Sequence, residues 1–308
     1  MILRSLPEDS FSGATLGARI EALSQREHSL VLARATQAEM PLGSRPLMIA
    51  VARGGRETYT VERRRLAVDD DNFLVLNEGR AHSSVIRSES EVESFKIFFR
   101  AGMVAEVLAP LVLPADRLLE RAPALGSLGF EFCEGLQPND RTVAPALHVI
   151  RQHLIDTEAG KEDNAWLEER LTHLLESLLL GHREVVARVK AIPVARDGTR
   201  KEIYRRVVLA VDYIESYYEQ PIELDTLAQV ACLSKFHFLR AFRSMQGMTP
   251  QHYVRRKRAL VAKRLLATTA LPAAEIALRV GYASRTSLTK QVRYWTGAAP
   301  AEIRRLKF

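Results

Sequence analysis

The chain has 308 residues, with 44 Lys and Arg against 37 Asp and Glu, for a formal charge of +7. Hydrophobic residues make up 47%, enough to bury a core in one large domain or two ordinary ones, which excludes composition-driven disorder. The two cysteines, Cys133 and Cys232, exclude a disulfide framework and a cysteine-rich zinc module and fit a reducing compartment. No apolar run approaches the ~18–20 residues of a membrane span. The opening MILRSLPEDSFSG lacks the apolar stretch of a signal peptide. These features predict a cytoplasmic protein with no membrane partner.

The first forty residues read as a mixed lead-in with a short helix near Leu16–Leu23. Between about 45 and 100, short β-rich stretches (Thr58–Val61, Phe73–Leu76 and Phe95–Phe99) alternate with turn clusters. Gly54-Gly55, Asp69 to Asn72 and Asn77 to Gly79 are those clusters. Such spacing predicts a sandwich or small barrel. After Gly102, apolar residues recur at helical spacing in Met103–Leu108, Val143–Asp156 and Trp166–Arg188. The last of these carries a leucine stripe including Leu167, Leu171, Leu174 and Leu178. The stripe fits either packing within its own domain or a homodimer seam. Ile192–Arg200, rich in Pro, Gly and charge, is the linker candidate. The expected domains are therefore 1–192, a linker at 193–200, and 201–308.

Charge divides at the same place. Residues 201–308 hold 19 Lys and Arg against 8 Asp and Glu, whereas residues 1–200 hold 25 against 29. A basic lobe of this density points to a polyanionic partner. Within it lies a repeat at an offset of 50 residues. Ser234, Phe238, Arg240, Phe242, Arg243, Gly247 and Pro250 match Ser284, Leu288, Lys290, Val292, Arg293, Gly297 and Pro300. Leu227-Ala228 matches Ile276-Ala277 with one residue of slippage. Each copy reads as a helix, a tight turn and a second helix that begins at a serine cap and ends at a glycine.

On a helical wheel, Phe238, Phe242 and Met245 face inward in the first copy, and Leu288 and Val292 in the second. Phe236, Arg240 and Arg243 face outward with Leu239 beside them, as do Thr286, Lys290 and Arg293 with Thr289. Lys235 and Arg285 stand at the helix starts. A basic helix of this kind fits the major groove of double-stranded DNA, where Arg and Lys read guanine and Thr meets base edges. Pro250–Thr268 joins the copies as a helix of about 28 Å, close to one DNA turn. Its Arg255–Arg258 cluster is expected to meet phosphate between them.

Residues from about 205 onward resemble the DNA-binding domain of the AraC/XylS family of bacterial transcription regulators. The resemblance rests on Leu227-Ala228, Leu233-Ser234, Arg240-x-Phe242-Arg243, Gly247-x-x-Pro250, Arg258, Ala262 and Leu265-Leu266. It continues through Glu275-Ile276-Ala277, Gly281-Tyr282, Gly297-x-x-Pro300 and Arg304. Departures are Tyr282 in place of Phe, aliphatic Leu288 and Val292 in place of aromatics, Pro272 before the fifth helix, and Glu223 at a usual Ser/Thr cap. The resemblance implies that Lys235, Phe236, Leu239, Arg240, Arg285, Thr286, Thr289 and Lys290 reach bases, and that Arg243 and Arg293 reach phosphate. More loosely, Phe73–Gly79, Glu93–Phe95 and Phe98–Arg100 resemble the family's cupin-like sensor half.

The expected fold is therefore α+β: an N-terminal cupin-like β-barrel with a helical dimerisation region, then an all-α domain with two helix-turn-helix motifs. The resemblance implies a small-molecule effector, RNA polymerase as partner, and activation of promoters by a nucleoid-associated protein. The effector site is not assigned. Enzymatic readings find little support. His82 has no close histidine partner, His148 and His153 are five apart on one helix, and no nucleophile triad or phosphate loop occurs. No metal, no cofactor and no catalytic residue are expected. Cys133 and Cys232 are expected as packing residues, and Arg63–Arg65 as an exposed strand end. A nonspecific architectural DNA binder and a metal-binding cupin enzyme with a DNA anchor are the competing readings.

Overall fold

The computed structural model describes residues 1–4, 6, 10–112, 131–139, 142–158, 160, 161, 163–190 and 197–305. It divides into two compact units, Met1–Val186 and Ala187–Phe308.

The first unit is a sheet covered by helices. Its strands are β1 (Ile2–Leu3), β2 (Ser29–Gly43), β3 (Met48–Arg53), β4 (Glu57–Val61), β5 (Arg64–Val68), β6 (Asn72–Leu76), β7 (His82–Phe98) and β8 (Gly135–Pro138). The main path runs β1-β2-β7-β3-β6-β8, with β4 between β5 and β7. The long β7 organises it. Antiparallel β2 follows one edge from Ser29↔Phe98 to Gly43↔His82. The other edge takes β3 over Glu93–Phe98 and β4 over His82–Ile86.

Strands β3 and β6 are buried on both faces and read as near-continuous apolar runs, whereas β4 alternates. The period of two still sorts them. Leu30, Leu32, Ile49, Val51, Phe73, Val75, Phe95 and Ile97 pack with the helices. Val31, Met48, Ala50, Ala52, Leu74, Leu76 and Phe98 face the opposite way, with Tyr59, Val61 and Leu66. That second face also holds a buried ion pair, Lys96 Nζ to Glu57 Oε1 at 2.7 Å, and Ser94 donates to the same carboxylate at 2.7 Å. Burial pushes the Glu57 carboxyl upward, but Lys96 and the serine hydroxyls outweigh it and hold it below the ordinary carboxylate range.

The helices are α1 (Ser10–Leu23), α2 (Met103–Val112), α3 (Val143–Asp156) and α4 (Asn164–Lys190). The leucine stripe of α4 packs inside the first unit. Leu171 and Leu174 are fully buried, Leu167 and Leu178 nearly so, in one core with α3 and the strands. The leucine face therefore packs within its own domain, one of the two readings the stripe allows. The lead-in is corrected, since β2 occupies Ser29–Gly43 ahead of the expected barrel start. Its first five residues are all buried, and the mixed polar remainder hid the strand.

The second unit is helical: α5 (Asp197–Tyr217), α6 (Leu224–Val230), α7 (Lys235–Gln246), α8 (Pro250–Thr268), α9 (Ala273–Arg279), α10 (Arg285–Thr296) and α11 (Pro300–Arg305). Helix α5 begins at Asp197, inside the expected linker, because a first helical turn tolerates glycine where an interior does not. Residues 193–196 of that linker lie outside the described residues. Two hydrophobic cores build this unit. Val207, Ala210, Ile214, Leu227, Phe238, Phe242 and Val254 make the first. Val261, Ala262, Leu266, Ile276, Leu288, Val292 and Ile303 make the second. The cores share no residue, and α8 contributes to both.

Candidate nucleic-acid interface

The sequence repeat is a structural repeat. Helices α6 and α7 are joined by a turn in which Cys232 has φ +49° and Leu233 N–H donates to Ala228 O at 3.0 Å. In the turn between α9 and α10, Gly281 has φ +83° and Tyr282 N–H donates to Ala277 O at 2.8 Å. Ser234 then caps α7, accepting from His237 N at 3.4 Å, and Ser284 caps α10, accepting from Ser287 N at 3.2 Å. Both helices stop at left-handed glycines, Gly247 and Gly297, whose N–H groups donate to Arg243 O and Arg293 O.

The repeat extends one helix further upstream than the motif spacing indicated. Arg206 on α5 donates to Cys232 O at 2.9 Å, and Arg258 on α8 donates to Gly281 O at 2.7 Å. Around these arginines, buried Val207, Ala210 and Ile214 correspond to buried Ala259, Ala262 and Leu266. Each turn is thus held from behind by an arginine of the preceding long helix. The signal was present at an offset of 52 residues.

Each second helix buries one side and exposes the other. Phe238, Ala241, Phe242 and Met245 are buried on α7, and Leu288 and Val292 on α10. On the open side of α7 lie Lys235, Phe236, Arg240 and Arg243, with Leu239 half-buried at the edge. On α10 lie Arg285, Thr286, Lys290 and Arg293, with Thr289 half-buried. Six side chains of α10 line one surface depression: Arg285, Thr286, Thr289, Lys290, Arg293 and Tyr294. Tyr294, 72% exposed, was not expected there, because an aromatic reads as core unless the wheel is followed to its last turn. Phe236 is 70% exposed, an unusual exposure for a phenylalanine. Lys235 pairs with Asp225 at 2.6 Å.

Three expectations are corrected. Of the Arg255–Arg258 cluster, Lys257 and Arg258 are turned into the fold. Lys257 is buried against Glu215 at 2.6 Å, and Arg258 donates to three backbone carbonyls. Only Arg255 and Arg256 remain exposed. Cys232 is exposed rather than packed, since its left-handed backbone turns it off the helix pair. Cys133 is half-buried, with its Sγ 3.7 Å from His182 Nδ1.

In the first unit, burial pushes His82 down to about 4, which keeps it neutral beside Arg80 O. Among the described residues no group of three or more His, Cys, Asp or Glu could hold a metal, and no helix is long and apolar enough to cross a membrane. Arg64 and Arg65 open β5, with Arg65 exposed.

Residues 227–306 match the family model of a helix-turn-helix domain. The probable transcriptional regulator LumQ of Photobacterium leiognathi is 35% identical over 94 residues, spanning 30% of this chain and 38% of LumQ. The regulatory protein SoxS of Salmonella typhimurium is 30% identical over 94 residues, which is 30% of this chain but 88% of SoxS. The DNA-binding domain of the global transcriptional factor AdpA, solved with a target DNA, is 34% identical over 32% of this chain and 90% of that one, with a TM-score of 0.31. The class is a protein with a helix-turn-helix DNA-binding domain at its C-terminal end. The chain belongs to the AraC/XylS family of transcriptional regulators.

Proposed function

We propose that the protein is a sequence-specific regulator that reads two successive major-groove segments of one promoter with α7 and α10. The observation that carries this reading is the equivalence of the two helix pairs: the same caps, the same turn and the same arginine brace, each with an exposed basic side. Arg240, Lys290, Thr286 and Thr289 suit base edges, and the methyls of thymine suit Phe236 and Leu239. Arg243 and Arg293, one turn further along, suit phosphates. Lys235 and Arg285 stand at the helix starts, the end of a reading helix that meets bases.

The N-terminal unit serves as the effector-sensing half in this proposal, with a cupin-like barrel as its framework and activation through RNA polymerase as its output. A homodimer belongs to it as well; sedimentation at micromolar concentration checks that point.

Footprinting of the purified chain on genomic promoter fragments tests the central claim. Two protected segments about one helical turn apart are expected. Arg240→Ala is expected to weaken the specific site by ~1–3 kcal/mol and to relax its sequence preference. Equal affinity for promoter and random duplex would favour an architectural binder, whereas a ratio of ~10³ or more excludes one.

A further inference from the structure

Reading two segments at once requires that α7 and α10 keep a fixed separation and a fixed rotation about the DNA axis. The hydrophobic cores do not secure this by themselves. Helix α8 gives Val254 and Tyr253 to the first core and Val261, Ala262 and Leu266 to the second. Apolar contacts of this kind hold a helix close without fixing its rotation, since they carry no direction.

Directional contacts are supplied by a buried polar seam between α5 and α8. Glu215 on α5 accepts from the Tyr253 hydroxyl at 2.9 Å through one oxygen and pairs with Lys257 at 2.6 Å through the other. Both members of this ion pair are buried, and the Lys257 ammonium lies 5.4 Å from the Tyr218 ring centre. One residue on, the Arg258 guanidinium spends three nitrogens on three carbonyls. Nε reaches Tyr218 O at 2.6 Å and Nη2 reaches Gln220 O at 2.7 Å, both just beyond α5. Nη1 reaches Gly281 O at 2.7 Å, in the turn ahead of α10. One planar group therefore joins the first three-helix unit to the turn that aims the second reading helix. Gly281 completes the joint, because a β-carbon there would sit 2.3 Å from Glu219 O.

The geometry points to Glu215, Tyr253, Lys257 and Arg258 as positioning residues that set the spacing between the two DNA segments the protein accepts. The inference rests on the reading of α7 and α10 as the two DNA-reading helices. A buried ion pair is weak evidence for stability, but fixing register is the role such pairs are best known for. Arginine suits the joint where lysine does not, since its planar fork fixes several directions at once.

The experiment measures binding of the full chain to its footprinted operator and to versions with one or two base pairs inserted between the protected segments. Each inserted pair moves the second segment by ~3.4 Å and turns it by ~35°. For the unaltered chain, one insertion is expected to lower affinity at least tenfold. Arg258→Lys, and the double variant Glu215→Met with Lys257→Met, are expected to bind the parent operator more weakly and to cut the insertion penalty below threefold. A merely structural loss lowers binding to all duplexes in proportion and leaves the penalty unchanged. Thermal melting confirms that each variant is folded. Should either fail to fold, Tyr253→Phe, which removes only one hydroxyl, carries the comparison. A folded variant that keeps the tenfold penalty overturns the inference. Absence of sequence preference in the unaltered chain overturns the DNA reading instead, so the two failures are distinguishable.

Discussion

The two helix pairs of the second unit solve the same geometric problem with different chemistry. The first packs on aromatic rings, with Phe238 and Phe242 at 5.5 Å and Phe242 and Tyr253 at 5.8 Å, edge to face. The second places Leu288 and Val292 at the equivalent positions, both fully buried. What the copies share is the directional part: serine cap, glycine stop, left-handed turn residue and arginine brace. Hydrophobic filling can be exchanged if volume is regained elsewhere, but a cap or a positive φ cannot.

The turn residue gives the largest expected difference between the copies. Gly281→Ala places a side chain in the left-handed region and drives its β-carbon into Glu219 O. Left-handed strain of ~1–2 kcal/mol adds to overlap of ~1–3 kcal/mol. A loss of ~2–5 kcal/mol is therefore expected by chemical denaturation. Cys232 already carries a β-carbon at φ +49° and its side chain is exposed. Cys232→Ala is accordingly expected to change stability by less than ~0.5 kcal/mol. Equal costs at the two positions would break the asymmetry.

The caps give an intermediate effect and should be nearly equal. Ser234→Ala and Ser284→Ala each remove one acceptor from a helix start. A loss of ~1 kcal/mol is expected for each, again by denaturation. A markedly larger cost for Ser284 would mean that the aliphatic second core leans harder on its cap than the aromatic first core does.

Much of this unit was legible in the sequence because its signals are local. Ser234, Gly247, Ser284 and Gly297 mark helix ends through their own backbone chemistry, and Phe238/Phe242 and Leu288/Val292 mark a buried stripe by spacing. The outward positions follow from the same wheel. Tertiary use of long side chains was not legible. Arg255–Arg258 reads as one solvated cluster, yet Lys257 and Arg258 find Glu215 and three carbonyls on elements up to 42 positions away. In the first unit β2 was lost for a related reason. Its first five residues are buried without alternation, its remainder is mixed and polar, and its pairing with β7 spans distant residues. The leucine stripe of α4 was visible, but that its partners are α3 and the sheet was not, because those contacts are distant in sequence.

Lys235 and Arg285 open α7 and α10 at equivalent positions, and among the described residues only Lys235 of the two has a close acidic partner, Asp225 at 2.6 Å. Both members of that pair are more than half exposed, so it adds little to stability, ~0.2–1 kcal/mol at most. Its consequence lies in binding. A phosphate or base edge approaching Lys235 must compete with the Asp225 carboxylate, which also repels the DNA backbone. Asp225→Asn removes the competitor and keeps the shape. Affinity for the operator is expected to rise by about twofold to fivefold at low salt. The slope of log affinity against log salt is expected to steepen by ~0.9, the increment for one more counterion released. Titrations at several salt concentrations measure both quantities. A steeper slope with equal gains on specific and random duplexes would place Lys235 on phosphate, and a gain confined to the specific site would place it on a base. The same substitution therefore tests whether α7, in the proposed DNA reading, enters the groove start-first or lies along it.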